Sequence, residues 1–428
     1  MDAAAERLAP LLSQLVNYER LRPDRRLWDL ATMRQLLARP GAPPPPRPAV
    51  QVGGSKGKGT TCAFLGAIAT AAGRRVGVYT SPHLETLLER IVVDGRNIDV
   101  DALAGLLRHV LGAPGLARAP TFFEATTVAA ADWFAAQRVD LAVYEVGLGG
   151  RFDATTALPV DASIVTTIEL EHTDVLGDTV EAIAGEKAHV VRGGGTGFTA
   201  ATGGALAVLR RHAEQVRARL LVLGEDFGMR AVQWGAAGCR GRLWLPAGIE
   251  RPFFLPDASA FELPALALAA AACAQLLPDT PLPLDPAPRP RLSCRFEVRT
   301  DVDGEVLVLD GAHTEQSLRA VATELARRHP GRRAAVLFAS AVGKRWREGL
   351  SALLPVADSF VVTELTGTPG EPAVTLAAHL AASGATCEVA ADIASGLAAL
   401  RRRPGPRLVA GSFYLAGQVR QLLRSEQR

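Results

Sequence analysis

Ten residues, Val52 to Thr61, read V-G-G-S-K-G-K-G-T-T. Glycines let backbone N–H groups turn inward around an anion, and a helix beginning after them adds a favourable dipole end. In this reading Gly54, Ser55, Lys56, Gly57 and Gly59 form a phosphate cradle, Lys58 reaches the terminal phosphates, and Thr60 or Thr61 holds magnesium. The spacing departs from the standard phosphate loop, because only Ser55 and Lys56 separate Gly54 from Gly57 and Gly59 precedes Thr60. A Gly-rich turn alone is often structural; a strand before it, a helix after it and a lysine within it favour nucleotide binding. A triphosphate needs a divalent cation, and oxygen or imidazole donors at strand ends would supply it. Glu145 closes the apolar run L-A-V-Y, and His172 follows another strand in E-L-E-H-T-D. An acidic residue at the carboxyl end of a parallel strand faces the ligand crevice. Read singly, each is as easily a solvated loop residue.

Lysine usage points to the same place. Arginine has almost displaced lysine: of 47 basic residues only Lys56, Lys58, Lys187 and Lys344 are lysines. A genome-wide base-composition bias accounts for the arginines. A lysine that survives it marks a position where a guanidinium will not serve.

The elements that must hold these residues alternate short β-branched runs with Ala/Leu-rich stretches, the pattern of parallel α/β architecture. Strands are expected over 49–53, 75–80, 142–146 and 163–168, with helices from the Gly loop to about 72, over 122–136 and over 178–191. The Gly/Thr-rich stretch 193–204 reads as a loop. A proline series, PDTPLPLDPAPRP, cannot continue a helix or a central strand and reads as a linker. Beyond it a hairpin turns at Asp303-Gly304, and strands are expected over 334–338, 359–363, 387–391 and 407–411. This divides the chain into domains 1–285, with an N-terminal helical segment, and 286–428.

Composition excludes several classes. With 428 residues, 48% hydrophobic and 21% charged, the chain can bury ordinary cores and is not a disordered one. A net charge of +3 without a basic run argues against a general nucleic-acid binder. Cys62, Cys239, Cys273, Cys294 and Cys387 form no CxxC pair, which excludes a readable disulfide framework or zinc knuckle and fits a reducing cytosol. The start, MDAAAERLAP, lacks signal-peptide features, and the apolar stretch 263–277 is short for a membrane span of ~20 residues. A soluble cytoplasmic protein is expected.

Taken together, the motifs resemble the folylpolyglutamate synthase/dihydrofolate synthase family of the Mur ligase superfamily. The matching segments are G-S-K-G-K-G-T-T-C-A-F (54–64), Y-T-S-P-H-L…E-R-I (79–91), T-F-F-E-A-T-T (121–127) and E-V-G-L-G-G-R-F-D-A-T (145–155). They continue in H-T-D-V-L-G-D-T-V-E-A-I-A-G-E-K-A (172–188), D-G-A-H (310–313) and A-G-S-F-Y-L-A-G-Q-V (410–419). They follow family order along nearly the whole chain.

The resemblance implies a central phosphate-loop sheet domain of Mur ligase type and a smaller Rossmann-like α/β glutamate ligase domain. It implies an ATP- and Mg2+-dependent ligase that joins L-glutamate to a folate or dihydropteroate carboxylate through an acyl phosphate, as a monomer without nucleic-acid or membrane partners. Ser81, Glu145 and His172 match the magnesium ligands. Asp29, Leu30, Thr121, Phe123, Asp153 and Ala154 match the pterin side, the first two within the weaker match 27–30. Arg295, Asp310 and His313 match nucleotide contacts of the second domain, which would place ATP between the domains. Lys187 matches a lysine that some members carry as a carbamate; an ordinary helix lysine paired with Glu181 or Glu186 is the alternative. Departures are Glu171 for an aspartate, Thr156 for an asparagine, Thr314-Glu315 for Asn-Pro, Ser293-Cys294 for Pro-Gly, and Pro264 or Ala265 for an adenine-contacting asparagine. A ligase for another carboxylic acid and a non-catalytic ATP-binding protein are the rival readings. A cell-wall ligase normally adds an N-terminal nucleotide-sugar domain, for which the 52 residues before Gly53 leave no room. A degenerate protein would have lost Lys58, Glu145 or His172, and all three are present.

Overall fold

A computed structural model of the chain describes residues 3–18, 29–290 and 292–426, which form two compact units, one ending at Pro290 and one beginning after it. The first unit is built on eight strands. They are β1 (Ala49–Gly53), β2 (Val76–Tyr79), β3 (Ile91–Val93), β4 (Arg96–Asn97), β5 (Leu141–Glu145), β6 (Ala162–Val165), β7 (Thr196–Thr199) and β8 (Arg219–Val222). Their spatial order is β4-β3-β2-β5-β1-β6-β7-β8, parallel from β2 to β8, with β3 and β4 added antiparallel at one edge. β1 and β5 are buried along their whole length, which is why they carry apolar residues toward both faces of the sheet instead of alternating.

Helices α1 (Ala3–Leu12), α2 (Ala31–Leu37), α3 (Lys58–Ala71), α4 (Val100–Leu111), α5 (Phe122–Ala136), α6 (Thr173–Leu176), α7 (Val180–Ala188), α8 (Gly203–Gln215) and α9 (Leu263–Leu276) accompany this sheet. Most of α3 and α9 is buried. The Cys273 thiol lies 4.0 Å from the Leu65 carbonyl, and Arg74 donates to Thr280 at 2.6 Å. These two helices therefore run side by side in the same direction, and the start of α9 stands level with the start of α3. Alanines 267 and 269–272 are all buried, so α9 is enclosed on every side.

Three findings differ from the sequence reading. The stretch 193–204 is not a loop: it contains β7, which pairs with β6 and β8, and Gly197 fits there because a Cβ would already touch Leu220 and Val191 at 3.2 Å. A three-stranded antiparallel sheet of β9 (Gly228–Gly235), β10 (Gly238–Leu245) and β11 (Ile249–Pro256) had no counterpart in it. The proline series is not free linker but a strap on the first unit. Leu284 and Ala287 are buried in its core and exchange backbone hydrogen bonds with Phe254, and Arg289 pairs with Glu262 at 2.9 Å. The expected boundary at 285/286 falls within this strap.

The second unit is a six-stranded sheet of β12 (Glu297–Thr300), β13 (Val306–Leu309), β14 (Ala334–Phe338), β15 (Ala357–Val362), β16 (Cys387–Val389) and β17 (Arg407–Ala410), in the order β12-β13-β17-β14-β15-β16. Only β12 runs antiparallel, closing the expected hairpin. Beneath that hairpin Arg407, almost wholly buried, donates to Asp301 at 2.8 Å and forks onto Asp303 at 2.9 and 2.5 Å. Among the described residues no helix is long and apolar enough to cross a membrane.

Candidate active site

In the first unit the residues singled out in the sequence gather at the carboxyl ends of the parallel strands, where an open α/β sheet binds its ligands. The chain leaves β1 into the loop 54–57. Gly54 lies at φ +129°, and a Cβ there would sit 2.0 Å from the Thr166 hydroxyl. Gly57 caps α3 at φ +84°, and the helix's own bonding begins with the Thr61 N–H to the Gly57 carbonyl, at 2.8 Å. The N–H groups of the first turn, including Lys58, Gly59 and Thr60, thus belong to an anion-binding helix end. The Thr61 hydroxyl is buried with no partner among the described residues, and Thr60 is also buried.

The loop is clamped from the exit of β6. Ser55 donates its N–H to the Thr167 carbonyl at 2.7 Å, and its hydroxyl accepts the Glu169 N–H at 3.0 Å. The Thr166 hydroxyl lies 2.6 Å from the Lys56 carbonyl. Sequence reasoning missed Thr166 and Glu169. The signal available was only a Thr-Thr pair after a strand, which is common.

Three of the four lysines converge here. Lys58 Nζ donates to the carbonyl of Gly54 at 3.0 Å, and Lys187 Nζ donates to that same carbonyl at 3.0 Å from α7. Lys187 also pairs with Glu171 at 3.0 Å, and Lys56 approaches the other Glu171 oxygen at 3.8 Å. Burial alone would push the Glu171 pKa up, but Lys187, then Lys58 and Lys56, outweigh it and hold it at about 2. Burial lowers Lys187 to about 8, against the pull of Glu171 and with the help of the other two ammonium groups. Glu169, partly buried nearby, is pushed up by desolvation. Three ammonium groups around one firmly ionised carboxylate leave net positive charge at a loop shaped for an anion. The alternative of a surface helix lysine is corrected: the Lys187 side chain is 3% exposed and pairs with neither Glu181 nor Glu186, the latter facing Arg151.

Glu145, at the end of β5, is buried and accepts the Ser81 N–H at 3.0 Å, so two of the three expected metal ligands touch. His172 stands at φ +47°, a left-handed position uncommon for a side chain of its size, at the start of α6. Among the described residues no group of three or more His, Cys, Asp and Glu side chains could hold a metal by itself. That fits Mg2+, which usually takes one or two protein ligands together with substrate phosphates and water. Glu145 and the Ser81 hydroxyl offer the oxygen donors Mg2+ prefers, and His172 would add an imidazole nitrogen.

The residues expected on the pterin side lie around the start of α5. Thr121 caps this helix by accepting the Glu124 N–H at 3.2 Å, and Glu124 is forked by Arg118 at 2.7 and 2.8 Å. Phe123, half-buried, faces Tyr79 at 5.8 Å and lies against Gly147, where a Cβ would meet its ring at 2.7 Å. Asp153 is buried and accepts the N–H groups of Gly147 at 2.9 Å, Leu148 at 3.1 Å and Thr155 at 3.0 Å. Desolvation raises its pKa against those bonds. Its observed work is to shape the G-L-G-G loop, with Ala154 buried behind it. Asp29 accepts the Ala31 N–H at 2.7 Å, Leu30 precedes α2, and the Asp29 charge is felt at Arg118. Leu27 and Trp28, of the same expected segment, lie outside the described residues.

In the second unit Arg295, Asp310 and His313 meet around Phe413, which the sequence reading did not single out. The Arg295 guanidinium lies 4.9 Å from the Phe413 ring centre, and His313 meets the ring edge-on at 6.3 Å. Gly311 leaves room for the ring, since a Cβ would stand 2.3 Å from it. Asp310 accepts the N–H of Phe296 and of Ala312, each at 2.6 Å, and burial pushes its pKa up to about 6. Cys294 and Phe296, on either side of Arg295, both take left-handed backbone at φ +53° and +49°. The first stands where a glycine was expected, a residue to which that conformation comes freely.

A family model described as Mur ligase, glutamate ligase domain, matches residues 294–412. A Halobacterium salinarum protein described as a probable bifunctional folylpolyglutamate synthase/dihydropteroate synthase is 37% identical over 387 residues, which is 87% of this chain and 46% of that protein. The chain spans about half the length of the first curated relatives it matches. Among solved structures, Escherichia coli FolC in complex with DHPP and ADP covers 100% of both chains at 26% identity and a TM-score of 0.84. The bifunctional folylpolyglutamate synthase/dihydrofolate synthase of Yersinia pestis, complexed with AMPPNP and a Mn ion, covers 98% of both chains at 26% identity and a TM-score of 0.82.

Proposed function

We propose that the chain, which resembles the folylpolyglutamate and dihydrofolate synthases of the Mur ligase superfamily, is an ATP-dependent ligase joining L-glutamate to a folate or dihydropteroate carboxylate. The observation that carries this reading is the strand–loop–helix cradle of residues 54–58, on whose Gly54 carbonyl Lys58 and Lys187 converge. A carboxylate resists attack by an amine until one of its oxygens becomes a leaving group. Phosphorylation achieves that: the γ-phosphate passes to the carboxylate, ADP leaves, and the glutamate amine displaces phosphate through a tetrahedral intermediate.

In this reading the loop N–H groups and Lys58 hold the phosphates and meet the charge on the transferring group. Bound Mg2+ would supply further charge neutralisation there, held by Ser81, Glu145 and His172. Thr121, Phe123, Asp153 and Ala154 line the pterin side, joined by Asp29 and Leu30. In the second unit Arg295, Asp310 and His313 contact the nucleotide, with Asp310 fixing the backbone that presents Arg295. Lys187 serves as a carbamate formed with carbon dioxide, a step open to an amine that burial makes less basic and closed to a guanidinium. A cytoplasmic monomer acting on small molecules, without nucleic-acid or membrane partners, completes the proposal.

Phosphate release from ATP with glutamate plus dihydropteroate, tetrahydrofolate or neither tests it. Stimulation by either pterin supports the folate assignment and tells the two activities apart. Stimulation only by an unrelated carboxylic acid would leave the ligase class and remove the folate; no stimulated turnover by any acid would remove both.

A further inference from the structure

Gln51 stands in the middle of β1, wholly buried in an inner strand of the first unit. A buried amide is costly unless its polar atoms are met. Here they are: its oxygen accepts Arg192 Nη2 at 2.5 Å, and its Nε2 donates to the hydroxyls of Thr155 at 2.8 Å and Thr156 at 2.9 Å. Neither Gln51 nor Arg192 stood out in the sequence, and the proposed reaction gives neither a role.

A guanidinium can only donate. Arg192 therefore decides which end of the Gln51 amide faces which neighbour: the oxygen turns to Arg192 and the two N–H groups turn to the threonines. Because each hydroxyl accepts from Gln51, its own proton goes on to a second acceptor. Thr155 donates to Asp153, and Thr156, in place of the asparagine expected there, donates to the Gly150 carbonyl at 2.6 Å. Burial raises the Asp153 pKa, and the Thr155 hydroxyl opposes that rise more than any single backbone N–H does. The other Asp153 oxygen holds the N–H groups of Gly147 and Leu148. Gly147 is where the Phe123 ring lies, and a Cβ at Gly150 would stand 3.1 Å from Lys187 Cα. Arg192 also donates Nη1 to the Thr156 carbonyl at 2.6 Å, and it stands just after α7, the helix that carries Lys187. One guanidinium thus sets the direction of a buried run of hydrogen bonds that reaches both ends of the loop 147–156. Without it the amide can turn over. Its oxygen would then take the threonine protons away from Asp153 and Gly150.

We propose that Arg192 is a positioning residue for the ligation: acting through Gln51, it orients the hydroxyls that hold the loop 147–156 against Phe123 and α7. Its effect on turnover rests on the ligase reading; its effect on the loop does not. Gln51→Glu separates direction from adhesion. A carboxylate at 51 keeps Arg192 as an ion-pair partner but can only accept, so both threonine protons turn to it. With whichever of dihydropteroate and tetrahydrofolate stimulates the wild type, Gln51→Glu and Arg192→Met should each raise the pterin KM about ten-fold or more, while the ATP KM changes by less than about two-fold. By hydrogen exchange, the amides of 147–156 should open about ten-fold faster in both variants, and those of α3 should not. If Arg192→Met does not fold, Gln51→Glu decides alone. An unchanged pterin KM or unchanged loop exchange in Gln51→Glu would overturn the role, and so would equal rises in both KM values. A wild type that no pterin stimulates would count against the folate reading instead, and loop exchange in Gln51→Glu would still decide whether Arg192 holds the loop.

Discussion

At Lys58 and Lys187 one carbonyl, that of Gly54, receives two ammonium groups, so these residues support the loop as well as carrying charge to it. Lys58→Ala removes the point charge closest to the transferring phosphoryl group. It should lower turnover by about 100- to 1,000-fold, in line with the loss of one transition-state contact, with an unchanged melting temperature; near-normal turnover would make the loop structural. Lys187→Ala should also be severely impaired, and the readout that matters is rescue. If the lysine serves as a carbamate, short carboxylic acids supply the missing oxygens and restore part of the activity. Without such rescue, the loss belongs to the ammonium that links Glu171 to the loop, and unchanged activity would remove Lys187 from the site.

Elements decide whether these residues meet. The loop approaches β6 so closely that Gly54→Ala would drive a methyl group into Thr166 at a backbone angle L-residues avoid. A fall of more than ten-fold in ADP affinity, read by calorimetry, is expected with α3 otherwise intact; unchanged affinity would mean that the loop moves aside at no cost. The cradle was legible in the sequence because its glycines, its lysines and the neighbouring buried strands each leave a local signature. Glu145 does end a strand, as its apolar run suggested, whereas His172 lies well beyond β6, at the start of α6. What holds the cradle was not legible: Thr166 reaches Lys56 across more than a hundred residues, and hydroxyl-to-carbonyl bonds leave no pattern along the chain. β7 was hidden because the Gly/Thr-rich stretch that contains it looks like a loop until β6 and β8 lie on either side. The sheet of β9 to β11 escaped for a related reason: β9 is exposed along most of its length, so no buried face marks it. Asp153 was singled out as a substrate residue, whereas its visible contacts are to backbone N–H groups of its own loop and to the Thr155 hydroxyl.

At the scale of the molecule, each unit carries its own electrostatic load. Replacing Arg407 by methionine would strand Asp301, which is buried and held by Arg401 and Arg407 together. A loss of about 3–5 kcal/mol is expected for breaking a buried pair in this way, seen as an earlier unfolding transition; a loss below 1 kcal/mol would mean that Arg401 suffices. Asp310 sets a pH dependence of the opposite kind. Its folded pKa of about 6 lies above the usual 3.8, so the folded chain favours the protonated form. That stability is fully present below pH 4 and is lost as pH rises through 6. Measured against Asp310→Asn, the wild type should therefore lose roughly 2–3 kcal/mol of relative stability between pH 4 and 7. A difference that stays flat across that window would show that the carboxyl is already ionised.

The run of buried alanines in α9, the helix packed beside α3, has a genetic consequence. Glycine alone is smaller than alanine, so almost every point mutation at these positions adds atoms to a helix already buried on every side. Overpacking of this kind costs about 1–3 kcal/mol, and here it would push on the helix that begins at the phosphate loop. Drift can therefore proceed on the surface of α8 or on the exposed face of β9 while residues 267–272 stay nearly frozen. Library selection for folding should find that stretch the least tolerant helix in the first unit, although no side chain in it has any chemistry to perform.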